Sequence, residues 1–269
     1  MNITALTTSL PVPLPKAISS LAEAGFRWID IPPTAAAREI RRLISDLGLH
    51  LGCVGLEREM PGVFDLASEI EADRRAAIDY FRSTLDATAE LKVSVSYITP
   101  PQATDETTRE FWNDSIQHLA EHAKQCSVDL CIEHFPTRLL HSGKETLEWL
   151  EQMNAPALKL LIDVGHCLIS REDPAELIRA AGSQLGYIHF DDNDGQDDLH
   201  WPLLTGVCSE EVLGSTLSAL AECGYDRTLC LELNPELDSP LKNLTDGNEL
   251  LAKLVSETRP PFGSARIAS

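Results

Sequence analysis

The sequence predicts an α/β fold, a (β/α)8 TIM barrel, on three observations. Short apolar runs alternate with amphipathic ones along nearly the whole chain, which implies parallel strands joined by crossover helices. Eight such apolar runs can be traced, the number that closes a barrel. The runs are mostly apolar throughout, as strands covered on both faces must be. A length of 269 residues also suits a barrel, which takes roughly 250 as one domain. The rival, an open doubly wound sheet, lacks its mark, because no glycine-rich phosphate loop follows the first strand.

Residues 3–8 read as the first strand, bounded by Pro11, Pro13 and Pro15. Helical spacing over 15–24 stops at Gly25, a residue suited to ending a helix. The second strand, 26–31, is stopped by Pro32 and Pro33, and a helix over 35–47 ends at Gly48. Strand three is 49–56. After a loop at 62–67, a long amphipathic helix covers 69–91, and strand four, 93–99, is closed by Pro100 and Pro101. Helix Glu106–Cys126 leads to strand five at 130–135, stopped by Pro136. Residues 144–153 are helical and 158–164 form strand six. Pro174 opens the helix Pro174–Ala181 in its first turn. Strand seven is 187–191, a helix over 209–223 ends at Gly224, strand eight is 228–233, and the last helix is 243–256. The expected domain is one barrel over 1–258, followed by a flexible C-terminal tail at 259–269 with Pro260, Pro261 and Gly263.

A net charge of -20 argues against nucleic acid and against an anionic membrane surface. No apolar run approaches the roughly 20 residues of a membrane helix. The N-terminal segment has no basic residue ahead of its apolar part, unlike a secretory signal. A cytoplasmic location is therefore expected. The seven cysteines are odd in number and contain no CxxC pair, so they read as reduced thiols. The expected partner is a small-molecule sugar or polyol. A homo-oligomer is compatible with the sequence, which shows no interface for one.

In a barrel, chemistry sits at the C-terminal ends of the strands. Four late strands end in metal-ligand types: Glu133 in CIEHFP, Asp163 in LLIDVGH, His189 in YIHFDDND and Glu232 in CLELNPE. Residues i and i+2 share a face. If these four point inward, Cys131, Leu161, Tyr187 and Cys230 lie one layer below, a small or largely apolar set that fits a filled interior. The flipped parity would bury four ionisable groups among the helices at high cost. Two glutamates, an aspartate and a histidine suit Mn2+, Mg2+, Co2+ or Zn2+, with open positions for substrate oxygens. The plainer alternative has each acid capping a helix or pairing with a base.

Other candidates carry two readings each. His166 faces the mouth as a substrate or second-metal contact, and Asp198 and His200 have the form of a ligand pair with the same two roles. Asp30 in WIDIPP either points into the mouth toward substrate or caps the next helix, and Glu57 is similar. Trp201 either lies under a sugar ring or anchors its loop. His134 has the opposite parity to Glu133 and is read as packing. The run Asp191 to Asp198 is read as partly a solvated loop.

With these fragments in order, the chain resembles the xylose isomerase-like TIM barrels, which include sugar-phosphate isomerases and epimerases, inositol-pathway dehydratases and endonuclease IV-type apurinic endonucleases. GFRWIDI resembles the family's second strand, and IEHFP, IDVGH, IHFDDNDGQDDLH and LELNP resemble its four metal-bearing strand ends. The resemblance implies one divalent ion on Glu133, Asp163, His189 and Glu232, with Glu133 and Glu232 as the acid–base pair and His166 on a substrate oxygen. It implies an isomerase or epimerase of a sugar, sugar phosphate or polyol ketone. A keto-sugar or keto-inositol lyase or dehydratase would use the same site, and a phosphodiesterase or a non-catalytic sugar-binding barrel are further alternatives. Ketose 3-epimerases of the family carry an arginine shortly after the strand-seven histidine, whereas this chain has none between Arg179 and Arg227. Strands three and four lack the extra histidines of the endonucleases, although His166, Asp198 and His200 match their other metal position.

Overall fold

Eight parallel strands close into a barrel in sequence order, each hydrogen-bonded to the next and the eighth to the first. The computed structural model describes residues 1–258 apart from Glu59, Pro61 and Val63. The strands are β1 (Ile3–Leu6), β2 (Trp28–Ile31), β3 (His50–Gly55), β4 (Val95–Ile98), β5 (Asp129–Glu133), β6 (Leu158–Asp163), β7 (Leu185–Phe190) and β8 (Leu229–Leu231). The helices are α1 (Leu14–Glu23), α2 (Arg38–Asp46), α3 (Glu71–Glu90), α4 (Glu106–Cys126), α5 (Gly143–Met153), α6 (Val164–Ser170), α7 (Pro174–Ala181), α8 (Glu210–Glu222) and α9 (Pro240–Thr258). The barrel is the expected fold. The tail expected at 259–269 lies outside the described residues. Among the described residues no helix is long and apolar enough to cross a membrane.

One helix was not anticipated. α6 starts directly off β6, because the Asp163 carboxylate accepts a hydrogen bond from His166 N at 2.8 Å and caps the first turn. Arg171, with φ of 58°, ends it in the left-handed region. The stretch IDVGH was read for its ligands alone, and its short run of seven residues gives little periodicity to detect.

Strand parity decides which residues reach the site. Leu130 and Ile132, Leu160 and Ile162, Ile188 and Phe190, and Leu229 and Leu231 join the apolar layer between strands and helices. Their alternate neighbours therefore face inward. A separate buried cluster of Leu6, Cys53, Val95, Tyr97, Cys131, Leu161, Tyr187 and Cys230 fills the barrel interior. It contains all four residues expected one layer beneath the ligand set.

Below this layer the interior turns polar around Asp30. Its carboxylate is fully buried and accepts from Tyr187 OH at 2.6 Å and from Cys53 N at 3.0 Å. Tyr187 OH is also 2.7 Å from Thr228 Oγ1. Gly52 makes room, since a Cβ there would lie 2.5 Å from Asp30 Oδ1. Burial pushes the Asp30 carboxyl up to about 6 despite these hydrogen bonds. An unfolded aspartate ionises near 3.9. As pH rises from there through about 6, the unfolded chain has released a proton that the folded chain still holds, so stability falls across that window. The cost above it is on the order of 3 kcal/mol. Asp30→Asn is expected to melt higher relative to wild type at pH 7.5 than at pH 4. A melting difference that does not change with pH would refute this assignment.

Candidate functional site

The inward parity of β5, β6 and β7, and of the first residue past β8, brings Glu133, Asp163, His189 and Glu232 together at the upper end of the barrel. Their ligand atoms all lie within 4.8 Å of one another. All four are buried, none more than 4% exposed. His189 Nδ1 lies 3.1 Å from Glu133 Oε1, 2.7 Å from Glu232 Oε2 and 3.9 Å from Asp163 Oδ2. Asp163 Oδ2 has no hydrogen-bond partner among the described residues. Ionised carboxylates are acceptors only, so three of them around one imidazole leave acceptors unmatched and negative charge in excess. A divalent cation supplies both missing quantities, and this mixed oxygen and nitrogen set fits one.

Arg58 also reaches the set, and the sequence reading missed it. It follows Glu57 in the β3 loop, donates through Nη2 to Glu232 Oε1, and donates through Nε to Tyr97 OH at 3.0 Å. Burial alone would raise the Glu232 carboxyl, but the Arg58 guanidinium and His189 outweigh it and hold it well below the usual carboxylate range. Glu57 is taken up by Thr99, whose N and Oγ1 donate to its Oε2 at 3.0 and 2.7 Å. Arginine in a loop has no periodic signature, and the only cue was its position just past a strand end.

Above these residues opens a cavity of about 430 Å3, within the roughly 300–1,000 Å3 range of small-molecule sites. Glu133 and Glu232 line it, together with Thr8, Arg58, Tyr97, Thr99, Phe135, Arg138, His200 and Asn234. Asp163 and His189 lie buried behind that wall.

A second cluster adjoins the first. His166 is fully buried and does not line the cavity, which corrects its expected place facing the mouth. α6 turns its ring inward, and its Nδ1 donates to His134 O at 2.8 Å. Its Nε2 is left 3.3 Å from Asp198 Oδ1, without hydrogen-bond geometry. A histidine held this way offers Nε2 as a ligand. Burial opposes protonation of His166, yet Asp163 and Asp198 push it up to about 10. His200 Nδ1 is 3.3 Å from Asp198 Oδ1, and its Nε2 is 3.6 Å from Asp191 Oδ2. The structure thus brings His166, Asp198 and His200 together, and it adds Asp191.

Only part of this run is solvated: Gln196 and Asp197 are exposed, whereas Asp191 and Asp192 are fully buried. Neither Asp191 oxygen has a partner among the described residues, and burial holds its carboxyl well above the usual range. Asp192 closes the loop, with Oδ1 accepting from Asn193 N and Cys208 N, and Oδ2 from Gly206 N, at 2.7–2.8 Å. Asp194 behaves as expected of a loop residue, accepting from Gln196 N and Asp197 N.

Two further candidates fall elsewhere. Asp30 sits in the barrel interior beneath the site and neither lines the cavity nor caps a helix. Its β2 parity turns it inward, but at a lower level than the ligands. Trp201 is absent from the cavity wall and pairs its backbone with Asp192 at 3.0 and 2.6 Å, so it anchors the loop.

Comparison with known proteins places this geometry in context. A family model described as xylose isomerase-like TIM barrel matches residues 18–254. A D-psicose 3-epimerase of Ruminiclostridium cellulolyticum is 27% identical over 44% of this chain, and the match spans 39% of that relative. A ketose 3-epimerase of Arthrobacter globiformis is 23% identical over 87% of this chain and 85% of its own length. The crystal structure of a D-tagatose 3-epimerase-like protein shares the fold, with a TM-score of 0.81 and 18% identity over 96% of this chain and 98% of that one.

The ligand set leads to a direct test. Asp163→Asn keeps an oxygen to cap α6 but removes a buried negative charge. It is expected to weaken divalent-metal binding by more than the roughly 10–100-fold typical of changes outside the ligand shell. Titration of metal-stripped protein with Mn2+, followed by calorimetry and metal analysis, reads this. Unchanged affinity would remove Asp163 from the site.

Proposed function

The chain belongs to the xylose isomerase-like TIM barrel family, and on that premise we propose that it is a divalent-metal-dependent isomerase or epimerase of a sugar or related polyol ketone. The observation that carries this reading is the placement of Glu133 and Glu232. They come from opposite ends of the β5–β8 arc, both line the cavity, and both lie within hydrogen-bonding distance of His189 Nδ1. The named activities of the two epimerase relatives support the same class. The net charge of -20 favours a small-molecule partner over nucleic acid.

Glu133, Asp163, His189 and Glu232 would hold the ion, which supplies polarisation of a substrate carbonyl and so acidifies the adjacent C–H. The protein groups move the proton. One carboxylate removes it from the carbon beside the carbonyl. The other, entering the step protonated, delivers its own proton to the opposite face for epimerisation, or to the neighbouring carbon for isomerisation. Arg58 fixes the Glu232 carboxylate and keeps it ionised. The Thr8 hydroxyl, buried without a partner among the described residues, offers a hydrogen bond to a substrate hydroxyl.

Incubation of Mn2+-loaded protein with a panel of ketoses in D2O is expected to exchange the proton next to the carbonyl, as seen by NMR. Glu133→Gln and Glu232→Gln should each slow the exchange by at least about 100-fold. Absence of exchange with every ketose would defeat the proposal. Release of water in its place would favour the lyase reading.

A further inference from the structure

The cavity has two unlike sides. Toward β1 and β8 its lining sets the neutral side chains Thr8, Ser9 and Asn234 beside Glu232 and His200. Toward β3, β4 and β5 it carries both arginines of the lining, Arg58 and Arg138. Arg58 is committed to Glu232 and Tyr97. Arg138 is held, and the Glu57 carboxylate acts on it through the Thr99 hydroxyl they share, not by a direct ion pair. Its Nη1 donates to Thr99 Oγ1 at 2.8 Å and to Pro100 O at 3.1 Å, and its guanidinium lies 4.2 Å over the Phe135 ring. Among the described residues no carboxylate lies within ion-pair distance of it. Its Nε and Nη2 have no hydrogen-bond partner there either.

Those two atoms form the edge with which a guanidinium binds a carboxylate or phosphate through two parallel hydrogen bonds. The groups that anchor Nη1 also immobilise the side chain, so little side-chain freedom remains to be lost on binding. A neutral sugar hydroxyl uses such an edge poorly, because it presents one oxygen and no charge. In a chain with 42 acidic and 22 basic residues, a fixed guanidinium without a direct ion pair, its Nε/Nη2 edge open on a cavity wall, points to an anionic ligand.

We propose that the substrate carries a terminal anionic group, a phosphate monoester or a carboxylate, bound by the free Nε/Nη2 edge of Arg138. This rests on the proton-transfer reading for what happens at the ketone, and it adds the class of molecule. The reacting carbon lies over Glu133 and Glu232, the anionic end points toward the loops after β4 and β5, and the hydroxyls meet Thr8 and Asn234.

Calorimetric titration of the Mn2+-loaded protein with D-fructose, D-fructose 6-phosphate and 5-keto-D-gluconate tests this at constant ionic strength. Wild type is expected to bind at least one of the two anionic ketoses about tenfold or more tighter than D-fructose. Which of the two binds tighter identifies phosphate or carboxylate as the recognised group. In Arg138→Gln the ratio of affinities should fall toward one, and Arg138→Lys, which keeps the charge but loses the fork, should restore part of it. Circular dichroism and melting verify that each variant is folded. Equal affinity of wild type for all three ligands overturns the proposal whatever the variants do. So does a preference that survives in folded Arg138→Gln, or failure of both anionic ketoses to bind. The D2O exchange assay separates the two readings. An intact anion preference without exchange removes the proton-transfer reading alone, and exchange with neutral ketoses without an anion preference removes the Arg138 proposal alone.

Discussion

Negative charge packed out of water at the top of the barrel is the constraint from which the upper half of the molecule follows. Glu133, Asp163 and Glu232 surround one imidazole at almost no exposure, and isolated buried carboxylates are too costly to survive. Each is compensated differently, Glu133 by the His189 imidazole at 3.1 Å. Glu232 takes the Arg58 guanidinium. Asp163 takes the first turn of α6, whose N–H groups and positive end face it. Asp163 Oδ2 and both oxygens of Asp191 are left without a hydrogen-bond partner among the described residues. The side chains whose charge the fold must balance are thus also those fitted to hold a cation.

The lower half meets the opposite requirement. Eight inward residues fill the interior, and one of them, Tyr187, turns its hydroxyl to the buried Asp30 carboxylate. Asp30 belongs to this interior network and does not line the cavity. A buried carboxylate with two good donors still titrates late, so this network is retained at a cost in stability at neutral pH.

Much of this was legible in the sequence because it is periodic. Alternation within β5 to β8 located the four clustered side chains Glu133, Asp163, His189 and Glu232 and the four residues beneath them, since a one-residue slip would have placed charges among the helices. Proline and glycine marked most element ends to within a few residues. What escaped was carried by loops. Asp191 and Asp192 look like their solvated neighbours Asp194 and Asp197 in composition, and only the fold of the loop over Gly165 and Gly206 buries them. Arg58 and Arg138 enter the cavity from loops after β3 and β5, where no spacing rule ties a residue to a strand end across the barrel. The short helix α6 was hidden because its cap, Asp163, also ends β6 among the clustered acids.

The Asp192 carboxylate gathers Asn193 N, Gly206 N and Cys208 N, and its backbone pairs with Trp201. This draws the two ends of the β7 loop together independently of its tip, while Asn234 N holds His200 O from the side of β8. Gln196 and Asp197 at the tip are exposed and contribute nothing to that closure. The loop is therefore modular. Its tip is free to diverge in length and chemistry, which alters what approaches the barrel mouth, while the clasp keeps Asp198 and His200 in register with the buried centre. A lineage carrying this barrel could acquire new specificities through that tip without rebuilding its charged core.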